Sequence, residues 1–309
     1  MSIQHPRTVT WRRLAFLVVI ACAAPAAIAA CPPSGWNRAG LDALKAADFR
    51  IEAPDRRAEL ALGLLDCLGA RNPALRDGIA FEAWSTWLRA GQLDQDTRQA
   101  ALERLLPRIR PAARDVDAGF SAPFAALVLS EIARSDRVAP WMTPEQREQL
   151  IAAGTTYLSS VRDYRGFDAH DGWRHGVAHG ADLMLQLALN PALDKRQLDR
   201  VLAAVASQVA PAGHAYVYGE PERLARPVLY GALRGLHTEA DWSAWFDTLS
   251  GPGNAASWQE AIGTQAGLAR RHDLRAFLLA IYVEIAEETR PELVAMRPAV
   301  LAALKRVPS

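Results

Sequence analysis

From Asn37 to the end of the chain, apolar residues recur at spacings of three and four, and almost nowhere at two. Leu60, Leu64, Leu65 and Leu68 form one such set; Leu150, Gly154, Tyr157, Leu158 and Val161 form another. Helices repeat their faces every 3.6 residues and strands every two, so the pattern admits helices and very little sheet. Only Tyr216-Val217-Tyr218 alternates. Start signals recur at Asn72-Pro73, Asp94-Gln95-Asp96 and Thr143-Pro144-Glu145, where a capping side chain precedes a proline or an acid. The pattern predicts about thirteen helices. They lie near 38–48, 54–69, 73–90, 95–109, 121–136, 144–162, 172–189, 195–209, 221–235, 238–249, 256–269, 272–288 and 291–306. Short connections make neighbours into antiparallel hairpins, so the expected fold is all-α, an α–α superhelix or toroid-like stack. No fixed-period repeat marks a repeat family. Residues 31–309 read as a single helical domain, with 107–119 as the best candidate hinge or long loop.

The first thirty residues have a different character. Arg7, Arg12 and Arg13 precede the apolar run Leu14–Ala21, and small residues follow to Ala30. A positive start, an apolar middle and a small-residue end predict a cleaved signal peptide over 1–30, hence a periplasmic or secreted protein. The competing reading is a retained anchor, for which the uncharged run is barely long enough. Cleavage leaves Cys31 and Cys67, an even pair in an oxidising compartment, which predicts a disulfide. Ile28-Ala29-Ala30-Cys31 and, less well, Val19-Ile20-Ala21-Cys22 also read as lipid attachment sites, although Pro32 is a poor start for a tether. Losing three arginines and no acid moves the net charge from +1 to −2. That balance argues against a nucleic-acid partner. No later segment reads as a transmembrane span.

The segment 172–189 concentrates the polar chemistry. Read as a helix capped by Asp171, it places His175, His179, Asp182 and Gln186 in one stripe roughly 60° wide. Beyond Arg174 the segment has no Lys, Arg or Glu, so the helix is predicted to be buried and the stripe to line a polar cleft. Gly176 and Gly180 predict close approach of another helix on one flank. Buried polar groups need partners, and three readings stay open. His175 and His179 are candidate ligands for a divalent metal such as zinc, completed from another helix. His175, His179 and Asp182 are candidate catalytic groups, with Asp182 orienting an imidazole. A hydrogen-bonded network that fixes helix register is the third. His175 and Asp182 are roughly 10.5 Å apart along the axis, too far to share one ion with His179. "HGVAH" also lacks the glutamate of the zinc motif HExxH.

Glu220, Glu222 and His214 are the candidate partners for this row, and Glu220 is also placed to cap the following helix. Arg223, Pro227, Tyr230 and Arg234 share a face that reads as a cleft wall. Arg165, with Asp163, Asp168 and Asp171, reads as a rim above the histidine helix. Candidate ligand-binding residues are therefore Gln186, Glu220, Glu222, Arg223 and Arg165. Trp84 and Trp87 fall on an apolar face and read as core.

The run "DYRGF…DGWRHGVAHGADL", with "LRDGIAFEAW" before it and "YGEPERLARPV" after it, resembles a bacterial family catalogued as domain of unknown function 2785. The resemblance spans roughly Cys31 to the C-terminal helices. It implies an all-α single domain and brings no established activity, so it supplies no catalytic residues. The sequence is read as an exported binding module for a small molecule or protein. A hydrolase-like enzyme, metal-assisted or not, using His175, His179, Asp182 and a carboxylate from 214–223, is the alternative.

Overall fold

Capping side chains set the helix boundaries. Asn37 accepts from the Gly40 amide, Asp94 from Thr97, and Thr143 and Gln146 close a reciprocal capping box. The computed structural model describes residues 1–2, 31–111 and 119–308. The signal segment with Cys22, and most of the candidate hinge, fall on 3–30 and 112–118 and lie outside the described residues. The helices are α1 (Arg38–Ala46), α2 (Pro54–Leu64), α3 (Pro73–Leu75), α4 (Glu82–Arg89) and α5 (Gln95–Leu105). Then come α6 (Ser121–Val138), α7 (Pro144–Ser160), α8 (Gly176–Leu189), α9 (Lys195–Ala206) and α10 (Glu220–Ala232). The last are α11 (Glu239–Leu249), α12 (Trp258–Ala261), α13 (Gln265–Ile285), α14 (Pro291–Val294) and α15 (Arg297–Arg306). A two-stranded hairpin, β1 (Phe167–Asp168) and β2 (Gly172–Trp173), is the one sheet among the described residues. The fold is all-α, as the periodicity predicts. Among the described residues no helix is long and apolar enough to cross a membrane.

Of the boundaries that differ from the pattern, three bear on the packing and the site. The π-helical turn Arg76–Phe81 joins α3 to α4 inside the segment expected as one helix. The expected break near 270 is absent: Arg270-Arg271 contains no stop signal, and the break falls at 262–264 instead. There Thr264 caps the Gly267 amide, and a Cβ at Gly267 would meet the Ala261 carbonyl at 1.9 Å. The third difference, the start of α8, concerns the site and is described below.

The packing runs from α6 to α8, from α8 to α10 and from α10 to α13, with α7 against α8 and α9. Trp84 and Trp87 are core, and their indole N–H groups donate to the Ala61 and Phe49 carbonyls, both at 2.8 Å. Asp136 of α6 is buried and fully used. It accepts from the Trp141 and Met142 amides at 3.0 and 2.8 Å, from Arg147 at 2.7 Å and from Asn190 at 3.0 Å. One carboxylate thus ties the end of α6 to the start of α7 and the end of α8. Gly180 provides the close approach its position predicts: a Cβ there would lie 2.9 Å from Leu158 and 3.2 Å from Tyr157 on α7.

Cys31 and Cys67 form the expected disulfide, with Cα atoms 5.1 Å apart and a sequence separation of 36. It pins the extended start of the described chain to the helical turn after α2. In the chain-entropy treatment a loop of this length stabilises by about 4 kcal/mol. Cys67→Ala is expected to lower the unfolding free energy by about that amount, read by urea denaturation with and without reductant. Equal midpoints for oxidised wild type and variant would contradict it.

Candidate functional site

The histidine helix starts later than its sequence suggests. Asp171 does not cap it. Its carboxylate is engaged by His170 at 2.8 Å and Arg174 at 3.3 Å, and Gly172, at φ 75°, turns the chain into β2. The hairpin pairs Phe167 with Trp173 and Asp168 with Gly172. Asp168 Oδ1 closes the turn by accepting from the His170 and Asp171 amides at 2.8 and 2.9 Å. The helix begins at Gly176, and His175 sits before it in the left-handed region at φ 54°, ψ 39°. Non-glycine residues are uncommon there, and histidine is among the few that are enriched in it.

What holds the hairpin comes from far upstream. The Arg76 guanidinium is 0% exposed. Its Nη2 donates to the Asp171 carbonyl at 2.8 Å and the Trp173 carbonyl at 3.3 Å; its Nη1 donates to the Ala70 and Arg71 carbonyls at 2.9 and 3.2 Å. Nε donates to Asp77 at 2.8 Å, and the group lies 3.9 Å over the Phe120 ring and 4.8 Å over Phe124. Gly172 passes so close that a Cβ would come within 3.0 Å of Pro73 and 3.2 Å of Arg76.

The row itself is brought together only in part. The His175 and His179 rings stand 5.8 Å apart and perpendicular. Trp173 covers His175 at 4.0 Å, and Phe124 of α6 meets His179 edge-on at 4.9 Å. His179 is 6% exposed. Its Nδ1 is buried without a hydrogen-bond partner among the described residues, as is His175 Nε2. Burial, then the charge of Arg223, lowers His175 to about 4. Burial, then His175 and Arg223, hold His179 well below the ordinary imidazole value. Both rings are therefore neutral at pH 7.

Asp182 does not orient either ring. Arg223 of α10 takes both its oxygens, Nε donating to Oδ1 at 2.9 Å and Nη2 to Oδ2. Burial pushes the Asp182 carboxyl up, against the pull of that guanidinium. Gln186 accepts from Arg137 of α6 at 3.3 Å. The expected carboxylate from 214–223 does not reach the row. Glu220, buried and raised by burial, accepts from the Tyr218 amide at 3.0 Å. Glu222 is exposed and lines a groove of about 930 Å³ with Leu185 and Leu189. Of that segment only Arg223 arrives, because a helical turn after Glu220 points it back at α8. Among the described residues no group of three or more His, Cys, Asp or Glu is placed to hold a metal ion. Among the described residues His175 and His179 therefore find no third donor.

Beside the hairpin, between it and the 214–218 segment, lies a cleft of about 540 Å³ whose wall includes Phe167, Asp168, His214 and Tyr218; His175, His179 and Trp173 do not line it. Phe167, Trp173 and Tyr218 are 50%, 37% and 40% exposed. Phe167 and Trp173 centre 4.9 Å apart, Trp173 and Tyr218 5.8 Å. His214 stacks on Tyr164 at 4.7 Å and 19°. Arg165, the expected rim residue, pairs with Asp163 through two nitrogens and lines this cleft. Sequence reasoning missed the aromatic rim. Its signal is the clustering of Phe, Trp and Tyr in Gly- and Asp-rich loops, where no core periodicity explains them.

Residues 86–283 match the family DUF2785, described as a protein of unknown function. The chain belongs to this family. The match is narrower than the resemblance in the sequence implies: it takes in the histidine row and "YGEPERLARPV" but begins after "LRDGIAFEAW", and so after Arg76. No curated protein and no solved structure matches the chain. The DUF2785 span thus contains the cleft and both imidazoles, but not the guanidinium that anchors the hairpin.

Two outcomes follow. Arg76→Ala leaves four carbonyls and Asp77 without their donor, and is expected to cost about 3 kcal/mol or more. Hydrogen exchange of amides 166–174 is expected to accelerate beyond the rest of the molecule; uniform exchange would contradict the anchor. For His175 the folded value lies below the unfolded 6.5, so unfolding takes up a proton between about pH 4 and 6.5. Its stabilising contribution is present above 6.5 and withdrawn as pH falls through that window. His175→Asn, which tolerates the left-handed backbone, is expected to remove one proton from the pH dependence of unfolding there. An unchanged slope would show that His175 is not held neutral.

Proposed function

We propose that the protein is exported and binds a small molecule with one flat apolar face and polar edges. Its site is the cleft between the hairpin and the 214–218 segment. One observation carries this reading. Exposed apolar side chains normally scatter, whereas Phe167, Trp173, Val217 and Tyr218 gather on one rim. Three of their rings are in contact beside a cavity that also presents Arg, Asp and His. The imidazoles lie buried behind Trp173, outside the cleft wall, and His175 Nε2 and His179 Nδ1 have no partner among the described residues. The hydrolase reading needs Asp182 to orient an imidazole, and Arg223 occupies Asp182. Export is supported by the signal-like N-terminus and by a disulfide that persists in an oxidising compartment.

The test uses the full chain expressed in a Gram-negative host and recovered from the periplasmic fraction, with its N-terminus read by mass spectrometry. Processing close to Cys31 is expected; a full-length chain left in the cytoplasm would oppose export. The purified protein is titrated with anilinonaphthalene sulfonate, a flat apolar probe with a polar edge. Saturable binding by wild type, lost in Trp173→Ala at an unchanged melting temperature, is expected. Binding that ignores the substitution would remove the cleft as the site.

A further inference from the structure

The aromatic rim has a shape that selects among ligands. A cage for an alkylammonium ion needs rings set apart around a gap. Here Phe167, Trp173 and Tyr218 pack on one another at 4.9 and 5.8 Å, leaving no gap to enter. They form a closed, faceted platform, with ring planes 57° and 89° apart. Arg162, Arg165 and Arg174 also line the cleft, which disfavours a cation further. A phosphate dianion fits no better, because these guanidiniums already have partners. Arg165 holds Asp163, Arg162 donates to the Ser159 and Val161 carbonyls, and Arg174 holds Asp171. Asp163 and Asp168 nearly balance the charge.

The platform is also fixed in advance. A Cβ on Gly166 would lie 2.0 Å from the Tyr218 ring, so only glycine lets that ring settle against the hairpin. Trp173 rests on His175, and its carbonyl is held by Arg76. Rigid rings lose little entropy on binding. Around them stand polar groups of fixed direction. Asp168 spends Oδ1 on its turn, and its Oδ2 accepts nothing among the described residues. The Arg165–Asp163 pair lies alongside, and His214 is held by its stack on Tyr164.

Exposed ring faces with acceptors and donors beside them, and little net charge, complement a ring whose faces are C–H and whose perimeter is hydroxyl. We infer that the ligand is a saccharide, stacked on the Phe167 face that lines the cleft and bordered by Trp173 and Tyr218, with a hydroxyl donating to Asp168 Oδ2. This rests on the proposed binding cleft and names what fills it. Neutral and acidic sugars share the stacking chemistry.

The periplasmic protein is titrated with cellohexaose, chitohexaose, maltohexaose and oligogalacturonate, each at millimolar concentration. Tryptophan fluorescence and displacement of anilinonaphthalene sulfonate are read. At least one saccharide is expected to bind saturably and displace the probe. Trp173→Ala and Phe167→Ala are each expected to weaken it about tenfold or more, in line with truncating an aromatic contact. Asp168→Asn is expected to weaken it less, with melting temperatures unchanged. The galacturonate arm separates an acidic ligand from a neutral one. If the probe binds in a Trp173-dependent way and no saccharide displaces it, the saccharide assignment falls and the cleft stands. If a saccharide binds but neither aromatic substitution matters, the platform is not its site and the inference is overturned. If neither probe nor saccharide binds, both readings fall.

Discussion

A single guanidinium sets the geometry of everything that faces the cleft. Arg76 spends its donors on four backbone carbonyls and one carboxylate, and its faces on two phenylalanine rings. Withdrawing such a charge from water is costly unless every donor is answered, and here all are. Lysine could not replace it, since a point charge cannot reach two loops with a planar fork or lie flat on an aromatic ring. Through Arg76 the hairpin is fixed, through the hairpin Trp173, and through Trp173 the left-handed His175. The π-helical turn that begins at Arg76 belongs to the same adjustment, for such turns gather where a helix accommodates a special residue.

The buried polar row is divided between two tasks. Its lower half, Asp182 and Gln186, is consumed by Arg223 and Arg137, and so it binds α8 to α10 and α6. Its upper half, the two imidazoles, is apolar in its surroundings and keeps spare hydrogen-bonding capacity. The division explains why the four residues of the row do not act as one unit. Asp136 does for the far end of α8 what Arg76 does for its start, gathering four donors on one carboxylate.

Much of the fold was legible because it is local. Caps at Asn72, Asp94 and Thr143 fall where Asx or Thr precedes Pro or an acid, and the close approach at Gly180 follows from a tiny residue on a helix flank. The cysteine pair could be read from compartment and parity. The start of α8 could not. Its delay depends on Asp171 being held by neighbours and by Arg76, 95 residues away. The same limit hid the partner of Asp182. A carboxylate seemed the natural answer to two histidines, but the turn of α10 delivers Arg223. The aromatic rim escaped because exposed rings have no period; only their meeting in space distinguishes them from loop residues.

The position of Arg76 also bears on where this protein begins as a folding unit. The span matched to the family starts at residue 86, ten residues beyond the guanidinium. A fragment trimmed to that span would keep the cleft, the imidazoles and the helices that carry them, yet leave Asp171 and Trp173 with bare carbonyls turned towards an emptied core. The boundary drawn by sequence likeness and the boundary required by hydrogen bonding are different lines. For this chain the hydrogen bonds of the hairpin reach upstream of the matched span, to a guanidinium that is itself held by the Ala70 and Arg71 carbonyls.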